Sequence, residues 1–412
     1  MHSGFPLVEV AYGGPPASAA CRKRPKLLFV VTRMDLGGVP EHIMILLDHL
    51  AARYEITIAC REVIPEHRER IEATGTRIVL IHLARTPNPL RDIRALFELV
   101  SFIRREQFDV VHSHMSKGAL IGGIAGWLSR APVVLNTAHN FGWLAIPNAL
   151  LRRVFWLYDK LLFALTLDRL VTISRLQEQQ IVATRLVSRN RVTTVLNGID
   201  VGALAAKAAR GSATRAELDI PADAVLVITV ARLVWLKAVD QLVEAVALMG
   251  ERAANAVFIV VGEGSDRPAL ERLIEKRGLI GRVRLLGGRL DVPRLLSLAD
   301  IFALPSVSEG MPIAIMEAMA TGLPVVATAV DGTPEVVDDG ETGLLVPPRD
   351  PAALAAAIGK LIADPGLRKD MGRKGQRRIE QSFSDRSLAA GMDALYSELL
   401  ARKVRGARGG AG

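Results

Sequence analysis

The chain has 412 residues, half of them hydrophobic, a formal net charge of +9 and only two cysteines, Cys21 and Cys60. That length fits two or three domains with sizeable cores, and two cysteines exclude a disulfide framework or a cysteine-built zinc site and fit a reducing compartment. Four Trp and four Tyr with no aromatic–basic interleaving argue against a nucleic-acid stacking platform, and no run of about 18 apolar residues offers a membrane span.

The charge is uneven: residues 1–200 carry +8 of it. A basic half points to an anionic partner such as a phosphate or an acidic membrane surface, or is simply a solvated face. Residues 1–25 are Gly/Pro/Ala-rich with the basic cluster Arg22-Lys23-Arg24 last, the reverse of a signal peptide; they read as a disordered extension. From Leu27 the chain alternates. Apolar runs at 27–32, 56–60, 77–82, 109–113, 133–137, 170–173 and 192–196 read as buried strands. Helical patterns at 39–50, 89–105 and 117–129 fall between them. Residues 149–167 mix leucines, aromatics and cations; this is a helix that packs on the sheet or lies in a membrane interface.

Residues 201–215 break the rhythm and read as a linker. The alternation restarts with strands near 224–230, 257–261, 283–286, 301–304, 325–327 and 343–346. Helices are expected near 238–249, 266–277, 291–299, 312–321 and 351–363, with a last one at 385–402 and a disordered basic tail at 403–412. Continuous apolar strands alternating with helices indicate parallel sheets covered on both faces. The expected fold is α/β: two doubly wound, Rossmann-like domains, 26–200 and 201–384, with the final helix crossing back to the first. Ligands of such sheets sit outside the carboxyl ends of the strands, here in a cleft that the two domains face across.

The chemistry-bearing residues fall at those strand ends. Gly37-Gly38 follows the first strand and opens a helix, which allows close backbone approach to a ligand or merely a tight turn. His112-Ser113-His114 ends one strand and Thr137-Ala138-His139-Asn140 another. No two histidines are four apart on a helix, and no Cys or Glu stands at ligand spacing, so metal binding is not expected. Arg232 and Lys237 follow the first strand of the second domain and could neutralise a diphosphate. Val261-Gly262-Glu263-Gly264 reads first as a tight turn. Glu309 precedes a helix that should start at Pro312, where the N–H groups of Gly310 and Met311 and the helix dipole favour an oxygen-rich ligand. Glu317 lies within that helix. Two carboxylates so spaced suit two parts of one hydroxyl-rich ligand better than a shared proton.

Arg232, Lys237, Glu309 and Glu317 together resemble the signature of family 4 retaining glycosyltransferases of the GT-B fold. Gly37-Gly38, Thr137–His139, Asn197-Gly198-Ile199-Asp200, Gly262-Glu263-Gly264, Ala303–Ser306 and Asp339–Leu344 stand in the family's order, over roughly residues 26–402. The resemblance implies that Glu309 holds hydroxyls of a donor sugar beside Gly310, Met311 and Pro312, and that Glu317 binds the ribose. It implies that Arg232 and Lys237 stabilise the leaving diphosphate without a metal or other cofactor, with Gly37 and Gly38 near the phosphates. His139 would face the reacting sugar, and Gly288 and Leu290 would frame the base. The stretch Val111–Gly122 is similar to members that extend polysaccharide or lipid-linked oligosaccharide, which places His114, Lys117 and Asn140 on the acceptor side. UDP is the expected nucleotide, ahead of GDP, and the expected location is cytoplasmic or peripheral at the membrane's inner face. Two departures are Ala238 where Gly is common and Asn140–Trp143 after the Thr-x-His. A nucleotide-sugar 2-epimerase and a non-catalytic binding protein are the alternatives.

Overall fold

The computed structural model describes residues 24–409 apart from Leu36, 84–87, Gly142, Leu144, Ala145 and Pro147. Cys21 and the expected N-terminal extension therefore lie outside the described residues, except Arg24 and Pro25. The chain divides into two compact units, residues 1–196 with 386–412, and residues 197–385.

The first unit runs β1 Lys26–Val30, α1 Gly38–Leu50, β2 Glu55–Cys60, α2 Pro65–Ala73, β3 Arg77–Leu80, α3 Pro89–Glu106, β4 Val110–His114, α4 Met115–Leu128, β5 Val133–Ala138, α5 Ala149–Thr166, β6 Arg169–Thr172, α6 Arg175–Ala183 and β7 Val192–Thr194. All seven strands are parallel, in the order β3-β2-β1-β4-β5-β6-β7. Alternation along β1 separates the two cores. Leu27 and Phe29 pack with α1, while Leu28 and Val30 pack with α3 and α4. Strands buried on both faces need this continuous apolar run. Order reverses between β1 and β4, the switch point at which such sheets open a crevice.

The second unit runs α7 Val201–Arg210, β8 Val225–Val230, α8 Val239–Met249, β9 Ala256–Val261, α9 Arg267–Lys276, β10 Val283–Gly287, α10 Val292–Leu298, β11 Ile301–Leu304, α11 Ile313–Ala320, β12 Val325–Thr328, α12 Thr333–Val336, β13 Gly343–Val346, α13 Pro351–Ala363 and α14 Pro365–Ser382. Its six parallel strands are ordered β10-β9-β8-β11-β12-β13. The last helix, α15 Asp385–Gly409, belongs to the first unit from Arg386 on. Its Leu388, Met392, Leu395, Tyr396 and Leu399 join the core formed with α1.

Two expectations need correction. Residues 201–215 are not an open linker: 201–210 are helical, because Asp200 accepts the Ala203 N–H at 2.8 Å as N-cap and Leu204 and Ala208 are buried. The tail is helical to Gly409 rather than disordered from 403. Arg402 pairs with Glu398 one turn back, and Lys403 pairs with Asp168 at 2.8 Å, which ties the start of this stretch to the first unit. Helices α2, α6 and α14, absent from the sequence reading, carry polar faces that weaken the apolar period.

Candidate functional site

In the second unit the polar residues gather at the carboxyl ends of β8 and β11. Lys237 Nζ lies 2.5 Å from Glu309 Oε1, and Ser306 Oγ donates to the same oxygen at 2.6 Å. Glu309 is 6% exposed. Its backbone N–H donates to Asp331 Oδ2 at 2.7 Å, which also accepts from Ser308 Oγ at 2.7 Å. The loop after β8 is tied to this segment by Val307 N–H donating to Leu236 O at 2.9 Å. Among the described residues Glu309 Oε2 accepts no hydrogen bond, and Lys237 donates only to Glu309. An ammonium has three donors and a carboxylate oxygen two lone pairs, so the pair keeps capacity for a ligand with hydroxyl and phosphate oxygens.

Arg232 is exposed, in the loop after β8, without an ion pair among the described residues. That loop is braced by glycine: a Cβ at Gly262 would come within 1.9 Å of Ala231 O, and one at Gly264 within 2.1 Å of Leu233 O. Gly262-Glu263-Gly264 thus holds two strand-end loops together. Ala238 adopts φ +46°, a left-handed conformation that disfavours a Cβ. Helix α11 starts at Ile313 with Pro312 as N-cap, so Glu317, half-buried, stands in its second turn. Gly310, Met311 and Pro312 are buried before it, while Gly288 and Leu290 lie exposed after β10.

In the first unit, four imidazoles meet at the ends of β4 and β5. His112 and His114 come from β4 and His139 follows β5; His42, in the second turn of α1, completes the group. The His42 ring centroid is 4.9 Å from that of His139 and 5.7 Å from that of His114. His112 bonds to Tyr396 Oη at 2.6 Å and Thr137 Oγ1 at 2.7 Å; His114 Nδ1 and His139 Nε2 are 3.1 Å apart. Burial, reinforced by neighbouring rings, holds the pKa values of His112, His114 and His139 well below the usual histidine range. These rings are neutral hydrogen-bonding groups at pH 7.

His42, His114 and His139 bring ring nitrogens within 4.8 Å of one another, so a metal could be held here geometrically. Sequence spacing does not reveal this group, because the three come from different elements. Gly37 sits at φ +140° as the N-cap of α1, a conformation open to glycine, and Gly38 begins the helix. Lys117 pairs with Asp92 of α3 at 3.0 Å, and Asn140 is half-exposed beside His139.

Three residues given no role from sequence join these clusters: His42, Ser306 and Asp331. Asp331-Gly332 is a turn dipeptide after β12, and that was its only sequence signal. His42 follows Gly38 by one helical turn, which puts it on the face turned to β4.

Two family models match: "Glycosyltransferase Family 4" over residues 36–203 and "Glycosyl transferases group 1" over 212–378. The UDP-Gal:alpha-D-GlcNAc-diphosphoundecaprenol alpha-1,3-galactosyltransferase of Escherichia coli is 26% identical over 355 residues, 85% of this chain and 91% of that protein. The D-inositol 3-phosphate glycosyltransferase of Saccharomonospora viridis is 32% identical over 317 residues, 71% of each. Among solved structures, Anabaena HepE in complex with UDP and glucose superposes with TM-score 0.78 at 19% identity, covering 91% of this chain and all of that one. WaaG, a glycosyltransferase involved in lipopolysaccharide biosynthesis, gives 0.72 at 19%, covering 89% and 98%. Both carry the two-domain GT-B fold.

Proposed function

The chain belongs to glycosyltransferase family 4, and we propose that it moves a hexose or N-acetylhexosamine from a UDP-sugar to a glycan or lipid-diphosphate-linked acceptor with retention of configuration. The observation that carries the donor half is the Lys237–Glu309 pair, its carboxylate buried and its ammonium partly exposed, braced by Ser306 and Asp331, and still able to donate and accept. The acceptor half rests on the relatives, several of which act on lipid-linked or cell-surface glycans by their names. Nothing among them supports the epimerase alternative.

In this reading Glu309 accepts from donor-sugar hydroxyls beside Gly310, Met311 and Pro312, and Glu317 accepts from the ribose. The C1–O bond to the diphosphate breaks, and a bond from C1 to the acceptor oxygen forms on the same face. The acceptor hydroxyl's proton leaves with the diphosphate. Negative charge grows on the departing β-phosphate, and fixed cations aimed there stabilise the transition state more than the ground state. Lys237 and Arg232 supply them, so we infer no metal. Gly37 and Gly38 offer backbone N–H groups to phosphate oxygens. His139 meets the sugar as a neutral imidazole, Gly288 and Leu290 frame the base, and His114, Lys117 and Asn140 face the acceptor side. The enzyme would work as a peripheral protein at the inner face of the membrane.

A thermal-shift panel of UDP, GDP, ADP and their sugars tests the donor. Saturation at about 100 times Kd adds roughly 2.7 kcal/mol to the folded state, a rise of about 5–10 °C for a unit of this size. UDP compounds should give it, and Lys237→Ala should abolish most of it. An equal shift with GDP would remove the base assignment, and no shift with any nucleotide would remove the donor site.

A further inference from the structure

The first unit leaves a long apolar strip uncovered. Most of the large apolar side chains exposed among the described residues lie on α3, α4 and α5. These are neighbours in one layer, since α4 packs against both of the others. Helix α5 buries Asp159, Leu162, Phe163 and Thr166 against the sheet. On its opposite side Leu150, Val154, Leu157, Leu161 and Leu165 are 50–75% exposed. Their spacing of three and four places them in one stripe that runs about 24 Å along the helix. On α3, Leu90, Ile93 and Phe97 repeat the pattern.

What borders this strip is cationic. Arg152, Arg153 and Lys160 are the only formally charged residues of α5 besides Asp159, which is buried. Where α5 meets the segment after α6, a surface cavity of about 430 Å³ is lined by Lys160, Arg185, Arg189 and Arg191, with Ala164 and Leu186 as its apolar floor. Arg191 donates to Phe163 O at 2.9 Å and so holds the cavity wall to the end of α5. Lys160 stands 4.5 Å over the Trp156 ring. Lys160, Arg185 and Arg189 form no ion pair among the described residues. A water-soluble partner surface would need matching apolar area and carboxylates. An anionic bilayer offers both an apolar interior and phosphates at one boundary, and a helix with an apolar face and a basic edge partitions there.

We propose that α5 lies in the interface of an anionic phospholipid membrane, with α3 beside it, and that the cavity between Lys160, Arg185 and Arg189 receives a lipid headgroup phosphate. Leucines and aromatics of the stripe enter the acyl boundary, and the cations reach phosphate oxygens along its edge. This rests on the lipid-acceptor reading for its purpose, but not for its geometry. A catalyst held at the surface meets a lipid-linked acceptor in two dimensions.

The test is flotation of the full-length protein with vesicles of phosphatidylcholine alone or mixed with phosphatidylglycerol, for wild type, Leu157→Glu/Leu161→Glu and Arg185→Glu/Arg189→Glu. Wild type should float with the mixed vesicles. Loss of each surface cation weakens binding to an anionic membrane about fivefold, so the arginine variant should bind at least roughly 25-fold more weakly, and the leucine variant should remain unbound. The UDP-induced thermal shift, which reads the second unit, should be the same in all three. Equal flotation with neutral and anionic vesicles, or variants that float like wild type, would overturn the proposal. So would a wild type that ignores vesicles and elutes as a dimer split by the leucine variant, which would make the strip a self-association face. Absence of a UDP shift with normal flotation would fault the donor reading alone.

Discussion

At the level of single residues, the proposed chemistry turns on Lys237 and Glu309. In the proposed mechanism, replacing Lys237 with Ala removes a cation aimed at the developing charge, an effect worth roughly 10²–10³ in kcat. It also strands a carboxylate that is 6% exposed, and an uncompensated buried charge costs up to about 3–5 kcal/mol. Two effects are then mixed in one variant. Adding Glu309→Gln removes the stranded charge and should restore most of the stability in urea denaturation, while turnover stays low. Recovery of turnover along with stability would mean that Lys237 acts only through folding. Ala238, next in sequence, sits at φ +46°. Ala238→Gly should relieve that strain and raise stability by about 1 kcal/mol, read as a shift in denaturant midpoint at unchanged slope; a lower midpoint would show that the left-handed conformation costs nothing there. The substitution is legible in sequence as a departure from the usual glycine, but its meaning is a backbone angle that only coordinates supply.

At the scale of elements, the turn after β12 positions the helix start at α11. Asp331 accepts from Glu309 N–H and Ser308 Oγ, so it fixes the backbone from which Glu309 projects. Asp331→Ala should lower kcat by roughly tenfold or more, since small misplacements of a reacting group are costly. Asp331→Asn, which keeps an acceptor, should recover part of it. Equal losses in both variants would assign Asp331 another role. Several motifs that made the family visible in sequence turn out to be architecture. A Cβ at Gly198 would lie 2.2 Å from Ser384 O, and one at Gly343 lies 2.4 Å from Val325 O; both glycines permit close backbone contact. Strands and their order of appearance were legible because buried parallel strands are unbroken apolar runs. Polar helices such as α14, and the helical state of 201–210, were not, because small and charged residues leave no strong period. Helix α5 was legible only as two alternatives, and the structure has both aspects: a packed face and an exposed one.

At the scale of the whole molecule, the titratable groups make the first unit sensitive to acid. His112, His114 and His139 have folded pKa values held below their unfolded value near 6.5. The unfolded chain therefore binds more protons below that pH, so their contribution is complete above about 6.5 and falls as pH drops below it. Asp159 works in the opposite direction: burial raises its pKa to about 6, so the native state takes up that proton first and loses stability as pH rises from about 4 to 6. Three imidazoles outweigh one carboxyl, and the unit should lose stability steadily from pH 6.5 to 5. Three of the four tryptophans, Trp127, Trp143 and Trp156, lie in this unit. A Trp235→Phe variant followed by fluorescence in urea would report it alone, and a midpoint independent of pH over that range would contradict the neutral-imidazole cluster. The cluster itself was half legible: three of its histidines stand at strand ends in the sequence, but His42 reaches them only through the turn of α1. Transfer from a UDP-sugar through Lys237 and Glu309 is read out by nucleotide release from a panel of UDP-sugars with and without a membrane-extracted acceptor. The expected result is acceptor-dependent release of UDP with one of the donors, lost in Lys237→Ala and in Glu309→Ala. Undiminished release from those two variants, or release that never depends on acceptor, would contradict it.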